Sequence, residues 1–435
     1  MKARLERYFL FSELKTNWRT EILGGATTFV TMAYIIFVNP SILQATGMPI
    51  GAVVAATCIC SALGSIMMGA FARYPIALAP GMGLNAYFTY TVVKTMGVPW
   101  QTALGAVFIS GVAFFILTAV GLRQMIVAAI PAPLYSAVAV GIGLFIAFIG
   151  LHNSGIITGN PETLVTVGNL RNPNAVLAIF GLLLIASLLA WKIRGAILIG
   201  ILGTAVAGVI FGLVPWHPQT YSISDIRATA FHLDIRGALR YGLLEIVFVF
   251  LFVDLFDNIG TLVAVGKEAK LFDHTNRIPR MNQILFTDAT ATIAGSLAGT
   301  STLTSYIESA AGVAAGGRSG VSAIVTGILF IIAMFIAPII GAIPASATAP
   351  ALIAVGSLMI IHTGEITWTD PVIAIPAFLT IITIPLTFSI ANGLAFGFTA
   401  YAILKIARGE FRSVHWIVYV LAILFIARFV YLGAG

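Results

Sequence analysis

One stretch of the sequence places two carboxylates among side chains that are otherwise hydrocarbon. Residues 250–261 read FLFVDLFDNIGT, and Asp254, Asp257, Asn258 and Thr261 recur within it at helical spacing. With about 3.6 residues per turn, these four side chains share one stripe of a helix. A charge at the centre of a bilayer costs roughly 3 kcal/mol, so such residues are rare and usually functional. We predict that the stripe binds a polar solute or an ion; a buried structural hydrogen-bond network is the alternative.

The composition identifies the surroundings of this stripe. Of the 435 residues, 59% are hydrophobic and 9% are charged, whereas soluble proteins carry about 25% charged residues. We therefore predict an all-α membrane protein that crosses the bilayer many times. Cys58 and Cys60 point to different faces of a helix, and the six histidines form no HExxH pair. We expect neither a disulfide framework nor a metal centre.

Apolar stretches of about 20 residues, the length of a membrane span, divide the chain into seven segments, a polar loop at 215–238, and seven more. The predicted spans cover residues 20–40, 50–72, 77–96, 102–121, 125–150, 174–192, 195–214, 240–265, 282–299, 301–316, 319–342, 346–362, 371–388 and 389–407. A further apolar stretch at 414–432 contains Arg428, and its sequence leaves open whether it spans the membrane or lies at the interface.

The distribution of positive charge supports this count. If residues 1–19 lie in the cytoplasm, 17 of the 23 lysines and arginines fall on the cytoplasmic side and 5 on the outer side. Cytoplasmic loops of membrane proteins carry such an excess. We therefore predict a multi-pass protein of the cytoplasmic membrane, surrounded by lipid, with both ends of the chain inside. The topology also explains the net charge of +7, so we expect no nucleic-acid partner.

The two halves are related by inversion. An odd number of spans in the first half makes the second half run in the opposite sense, and the halves share short motifs, AIPAP at 129–133 and AIPAS at 342–346. Inverted repeats of this kind are typical of secondary transporters, which bind their substrates near the middle of the membrane. The predicted fold is a polytopic bundle of fourteen transmembrane segments in a 7+7 inverted repeat.

The third span of each half is interrupted. Residues 77–87 read ALAPGMGLNAY and residues 299–309 read GTSTLTSYIES. Pro80 and Gly81 would break a membrane helix, and a run of threonine and serine favours extended backbone. We predict a short extended piece and then a half-helix in each span, lining a cavity because irregular backbone is not tolerated against lipid.

These features converge on one site. The candidate binding residues are Asn85, Tyr87, Asp254, Asp257, Asn258, Thr261, Thr304 and Glu308. Ionised carboxylates accept hydrogen bonds and amides both donate and accept, so the set suits a flat polar solute with N–H donors better than an anion. Because burial favours the protonated form of a carboxyl group, an acid of this set could carry a proton as the coupling ion. Tyr87 could stack on a ring, although core packing is the commoner use of a buried aromatic side chain.

Four longer motifs carry a family resemblance. They are GGATTFVTMAY at 24–34, APGMGLNAY at 79–87, VDLFDNIGT at 253–261 and GTSTLTSYIESAAGV at 299–313. In this order they resemble the AzgA-like purine permeases, the adenine, guanine and hypoxanthine branch of the nucleobase–cation symporters, over almost the whole chain. The resemblance implies proton-coupled uptake of purine bases with no cofactor besides the coupling proton, alternating access, and a homodimer formed through gate domains.

The resemblance also implies roles for individual residues. Acids of the eighth and tenth spans bind the base, here Asp254 or Asp257 and Glu308, and Asn85 matches the asparagine that this branch carries in the third span. The same three acids are the candidates for proton coupling. Which aspartate binds the base and which couples protons stays open.

The resemblance further divides the spans between a core domain and a gate domain. The implied ranges are 1–19 for a cytoplasmic N-terminal segment, 20–121 and 240–342 for the core, 125–214 and 346–407 for the gate, and 408–435 for a C-terminal apolar segment.

Three other functions fit the residues less well. Xanthine and uracil permeases carry a glutamate and often a histidine in the eighth span, where this chain has Asp257 and Thr261. An anion transporter of the same fold is disfavoured by Glu308. An intramembrane aspartyl hydrolase needs two aspartates facing each other from different helices, whereas Asp254 and Asp257 are three residues apart on one helix, so we predict no enzyme activity.

Overall fold

A computed structural model describes residues 2–121, 130–213, 223–240, 244–268, 278–340 and 343–432 of the chain. Regular structure in these residues is mostly helical. Seven of the described helical segments are long and apolar enough to cross a membrane, and five further apolar helices are shorter. These helices confirm the prediction of an all-α polytopic membrane protein.

The elements of the first half follow the predicted spans. They are α1 (Lys2–Tyr8), α2 (Trp18–Met32), α3 (Ile35–Leu43), α4 (Ile50–Met67), β1 (Leu78–Pro80), α5 (Met82–Ala86), α6 (Trp100–Ala119), α7 (Ala132–Asn153), β2 (Ile157–Asn160), β3 (Leu164–Val167), α8 (Pro173–Ala190) and α9 (Ala196–Ile210). Helices α4 and α5 continue as π-helices over Met68–Ala72 and Tyr87–Thr95. The predicted start of the fifth span, before residue 130, lies outside the described residues.

The second half also places a strand and a short helix between longer helices. Its elements are α10 (Ile235–Arg240), α11 (Leu244–Glu268), α12 (Met281–Ala298), β4 (Leu303–Ser305), α13 (Ser309–Ala314), α14 (Gly320–Ile340), α15 (Ala345–Met359), α16 (Pro371–Leu386), α17 (Ile390–Ala407) and α18 (Trp416–Leu432). Helix α11 carries the acidic stripe, and α18 is the apolar stretch that follows the fourteenth predicted span.

The two interrupted spans have the predicted form. In each, a three-residue strand leads into a short helix, β1 into α5 and β4 into α13. The two strands pair antiparallel with Leu78 opposite Ser305, and the N–H of Gly81 donates to the C=O of Thr302 at 3.0 Å. This pairing, which the sequence did not predict, satisfies backbone groups that are costly to leave unpaired inside a membrane.

The first span is also interrupted, and the sequence did not predict this. Ala33 and Tyr34 separate α2 from α3. The N–H groups of Ile36 and Phe37 donate to the C=O groups of Ala33 and Tyr34 at 3.1 and 3.0 Å, three residues back rather than four. A tightened turn of this kind inside a helix often marks a functional position.

Glycines bring α2 close to the second interrupted span. A methyl group on Gly24 would lie 2.7 Å from the Cα of Gly317, and one on Gly25 would lie 2.6 Å from the Cβ of Val325. Because only glycine lacks a Cβ, only glycine permits backbones to approach this closely. The hydroxyl of Thr326 donates to the C=O of Gly25 at 2.9 Å. The packing therefore fixes α2 against both α13 and α14.

Glu21 caps the start of α14. This buried carboxylate accepts hydrogen bonds from the N–H groups of Arg318 and Ser319 at 3.0 and 3.1 Å and from the hydroxyl of Ser322 at 2.6 Å. The first N–H groups of a helix have no partner within it, and negative charge is favourable there. Glu21, for which sequence reasoning had no role, thus joins the first span to the eleventh.

The backbone separates into two compact units. One comprises Met1–Phe115 and Ile149–Ala354, and the other comprises Ile116–Phe148 and Val355–Gly435. The first unit holds both interrupted spans and the acidic stripe. In the second, side chains of α7 and α16 form an apolar cluster that includes Ala137, Val140 and Ile381. The core and gate boundaries that the resemblance implies stay a prediction.

Candidate functional site

Glu308 lies between β4 and α13, at the N-terminal end of the half-helix. Its side chain is partly exposed, and its Oε1 accepts a hydrogen bond from the hydroxyl of Tyr34 at 2.5 Å. The hydroxyl of Thr31, which also bonds back to C=O groups of its own helix, lies 3.5 Å from the C=O of Glu308. The break in the first span thus places a phenol on the acid of the tenth.

Asp257 is a second partly exposed acid. A methyl group on Gly81 would lie 3.4 Å from Oδ2 of Asp257 and 2.8 Å from Cγ2 of Thr304. Asp257 also lies within electrostatic range of Glu308 and Asp288. Because Gly81 has no side chain, the end of β1 leaves room beside the carboxylate. The structure therefore brings Asp257, Thr304 and Glu308 together around the ends of the paired strands.

The other three stripe residues are buried. Asp254, Asn258 and Thr261 all lie inside the fold. In the part of the chain that the structure describes, neither amide atom of Asn258 has a hydrogen-bond partner. An amide offers both donors and acceptors, so Asn258 can donate a hydrogen bond to a polar group that reaches it and can also accept one. A direct contact between these three residues and a substrate stays a prediction.

Asn85 belongs to a buried polar network. Its Nδ2 donates to Oδ1 of Asn39 at 2.6 Å, and its Oδ1 accepts a hydrogen bond from the hydroxyl of Ser301. Asn39 in turn donates to the hydroxyls of Thr57 and Thr300 at 2.7 and 3.0 Å. The network joins α3, α4 and α5 to the segment before β4. A ligand that contacted Asn85 would compete with these bonds, so its predicted binding role stays a prediction.

Two further tyrosines surround the strand pair. The ring of Tyr87 packs edge to face on Phe250, with ring centroids 5.3 Å apart at 75°, an arrangement typical of aromatic cores. Stacking of Tyr87 on a substrate ring stays a prediction. The hydroxyl of Tyr306 donates to the C=O of Pro80 at 2.5 Å and so braces β1 against β4.

Sequence reasoning missed Tyr34 and Asn39. Both had a visible signal, because Tyr34 ends the motif at 24–34 and Asn39 is an amide inside an apolar span. Their partners could not be found from the sequence, since Glu308 is 274 residues from Tyr34 and Thr300 is 261 residues from Asn39. Only the folded chain shows that Tyr34 and Asn39 are the residues of the first span that bond to Glu308 and Asn85.

The side chains around the strand ends suit a neutral polar solute. Acids, phenols, hydroxyls and amides are grouped here, and ionised carboxylates accept hydrogen bonds without donating any. Two partly exposed acceptors, Asp257 and Glu308, are therefore arranged for a solute that presents N–H groups. They would repel an anion, because like charges at close range raise the free energy.

Comparison with known proteins identifies the family of the chain. Residues 19–396 match the xanthine/uracil permease model, which is described as a permease family. The chain is 47% identical over 440 residues to the guanine/hypoxanthine permease PbuG of Bacillus subtilis, covering 98% of this chain and 100% of that one. It is 43% identical over 433 residues to the adenine permease AdeP of Escherichia coli, covering 100% of this chain and 97% of that one.

A solved structure shares the fold. The transmembrane domain of a cyanobacterium bicarbonate transporter, BicA, is similar with a TM-score of 0.67 at 14% identity, over 85% of this chain and 96% of that one. This likeness confirms the predicted 7+7 inverted repeat. The relatives confirm the resemblance to permeases that the four motifs carried. The chain belongs to the xanthine/uracil permease family.

Proposed function

We propose that this protein imports purine bases, namely adenine, guanine or hypoxanthine, together with protons. The observation that carries the proposal is the pair of partly exposed acids at the ends of β1 and β4, Asp257 and Glu308. A purine presents N–H groups along one edge, which these acceptors can bind. The names of the relatives PbuG and AdeP support guanine, hypoxanthine or adenine over xanthine or uracil as substrates.

Within this proposal, the two aspartates of the stripe differ in access. Asp257 is partly exposed and lies beside Gly81, whereas Asp254 is buried one turn away. This difference favours Asp257 over Asp254 for contact with the base. Asn258 and Thr261 would complete the wall of the site, with Thr304 opposite.

The proposed coupling ion is the proton. Carboxyl groups inside a membrane mark proton pathways, and three of them, Asp254, Asp257 and Glu308, are candidates to bind the proton that accompanies the base. The transport cycle that the family resemblance suggests is alternating access, in a homodimer of the cytoplasmic membrane that associates through its gate domains. Residues 1–19 would lie in the cytoplasm.

Uptake into vesicles tests the proposal. Purified protein in liposomes is given labelled adenine, guanine, hypoxanthine, xanthine, uracil, bicarbonate or sulfate, each in a separate assay, with and without an inwardly directed proton gradient. We expect uptake of at least one of the first three bases, stimulated by the gradient and abolished by a protonophore. Uptake of uracil or xanthine alone would favour the alternative substrates, and uptake of bicarbonate or sulfate in place of any base would overturn the proposal.

A further inference from the structure

The contact between Tyr34 and Glu308 links the first span to the candidate site. Tyr34 is buried, and its hydroxyl lies 2.5 Å from Oε1 of Glu308. This distance is in the range of an O–H donor to an ionised oxygen. The bond engages one carboxylate oxygen, and the side chain of Glu308 is partly exposed.

The helices that carry the two residues are held in fixed positions. A methyl group on Gly24 would lie 2.7 Å from the Cα of Gly317, and one on Gly312 would lie 2.5 Å from the C=O of Gly24. The backbones of α2 and the α13–α14 segment are therefore in contact two to three turns before Tyr34. Such rigid support is what a precisely oriented polar group needs.

The join between α2 and α3 sets the direction of the phenol. The N–H of Phe37 bonds to the C=O of Tyr34, three residues back. The backbone is therefore wound more tightly at Tyr34 than in a regular α-helix. Among the residues that the structure describes, other titratable groups near Glu308 are Tyr306, which donates to the C=O of Pro80, and Asp257 on α11. Tyr34 is thus the phenol that bonds directly to the acid, and Tyr306 is a close neighbour that does not.

We propose that Tyr34 is a positioning residue that keeps Glu308 ionised and oriented as an acceptor for N–H groups of the purine base. This inference rests on the proposed function. A hydrogen bond to the charged form of an acid favours that form. Glu308 then stays ionised and accepts hydrogen bonds from the base, and the transported proton is carried by an aspartate of the α11 stripe.

Loss of the Tyr34 hydroxyl should change the pH dependence of base binding. Without the phenolic hydroxyl, Glu308 would take up a proton at higher pH and lose its capacity as an acceptor in mildly acidic solution. The KM for the base should therefore rise at low pH and return towards the wild-type value at high pH, where Glu308 is ionised in both proteins. A merely structural role for Tyr34 would change stability or the maximal rate at every pH alike.

The KM at each pH is measured from the exchange of labelled for unlabelled base across liposome membranes. The pH is equal on both sides, so no proton gradient is present. For Tyr34→Phe we expect a KM about tenfold above wild type near about pH 6 and within about twofold near about pH 8. Two controls remove a phenolic hydroxyl that donates to a backbone C=O. Tyr306→Phe loses the bond to Pro80, and Tyr74→Phe loses the bond of 2.6 Å to Pro279. Both controls should keep the wild-type shape of the pH profile.

A second substitution guards against a misfolded variant. Replacing Tyr34 by 3-fluorotyrosine keeps its shape and strengthens the donor, so the rise of KM on the acid side should move to lower pH. Parallel pH profiles for wild type, Tyr34→Phe and the fluorinated protein would overturn the role of Tyr34. If the wild-type protein exchanges no purine, the proposed function fails instead, and the two failures are therefore distinguishable.

Discussion

At the scale of single residues, exposure separates the acids of this site. Asp257 and Glu308 are partly exposed, whereas Asp254, Asp288 and Asn258 are buried. A charged group in a membrane is costly unless it is paired, solvated or protonated. The exposed pair can be solvated or bind a solute, and the buried acids are the better places for a proton. This division gives the two aspartates of one helical stripe different expected roles.

The first prediction concerns the exposed pair. Asp257→Asn and Glu308→Gln keep size and shape but remove the negative charge. Each should lower purine uptake by about tenfold to a hundredfold, because a hydrogen bond to a charged group contributes roughly 1.5–3 kcal/mol. Initial rates of uptake into liposomes measure the effect. Thermal unfolding in detergent should show that both variants fold.

Matched controls come from acids on exposed loops. Asp234→Asn and Glu162→Gln make the same chemical changes at exposed positions, and both should transport at close to the wild-type rate. Normal, pH-driven uptake by both Asp257→Asn and Glu308→Gln would show that the site lies elsewhere.

A second prediction concerns Asn39. Its amide bonds to Asn85, Thr57 and Thr300 in a buried setting. Asn39→Ala would leave these partners unsatisfied, and each buried polar group without a partner costs about 1–3 kcal/mol. We expect the variant to unfold several degrees below wild type, as measured by thermal shift in detergent.

The control for Asn39 is an exposed amide. Asn153 donates to the hydroxyl of Tyr90 at 2.8 Å near the surface, where water can replace the bond, so Asn153→Ala should have a much smaller effect. Equal losses of stability in Asn39→Ala and Asn153→Ala would mean that the buried network contributes little.

At the scale of elements, the sequence predicted breaks that local chemistry causes. Pro80 and Gly81 cannot continue a helix, and the threonine-rich stretch before Ser305 favours extended backbone, so both interrupted spans were predicted correctly. The break at Tyr34 carries no proline or glycine, and the nearest proline is Pro40, in α3. It places a phenol on an acid far along the chain, and single-sequence reasoning has no access to that contact.

The same limit applies to helix packing. The glycines at 24 and 25 were visible in the sequence, but their partners, Gly317 and Val325, were not. The carboxylate of Glu21 resembled an ordinary charge at the end of a span, and only its bonds to Ser319 and Ser322 show that it caps a distant helix. Local composition therefore predicted most of the helices and both strand-and-half-helix spans, and the folded chain was needed to show which elements touch.

A third prediction tests this packing. Gly25→Ala would place a methyl group 2.6 Å from the Cβ of Val325, so α2 and α14 would have to move apart. Overpacking of this kind typically costs about 1–3 kcal/mol. We expect a lower unfolding temperature and a lower yield of folded protein. Gly364→Ala is the control, because a methyl group there meets no atom within 4 Å, and an equal loss in both variants would contradict the packing argument.

At the scale of the whole molecule, contacts in the second unit agree with the predicted topology. The guanidinium of Arg408 at the end of α17 binds the carboxylate of Asp370 at the start of α16 at 2.8 Å. The N–H of Val372 and the guanidinium of Arg408 hold the pKa of Asp370 below its usual value. The pair is therefore ionised at neutral pH. Both residues belong to segments that the charge count places in the cytoplasm.

The helix after α17 extends this topology. The rings of Phe398 on α17 and Phe425 on α18 have centroids 6.2 Å apart. Phe398 lies nine residues before the end of α17 and Phe425 nine residues after the start of α18, so the two helices run antiparallel, side by side. A helix lying along the membrane surface would not reach the middle of α17. We therefore predict that helix α18 turns back into the membrane.

A fourth prediction follows for the residues beyond α18. Its 17 residues span about 25 Å at about 1.5 Å per residue, which is close to the roughly 30 Å of the hydrocarbon core. The far end of α18 should therefore lie near the outer face. This differs from the charge count, which placed both chain ends inside. A cysteine added after Gly435 should react with an impermeant maleimide in intact cells, whereas Ser413→Cys, just before α18, should react only after permeabilisation. Cys58 and Cys60 are buried and should not interfere. Labelling of the added cysteine only in permeabilised cells would mean that α18 does not cross the membrane.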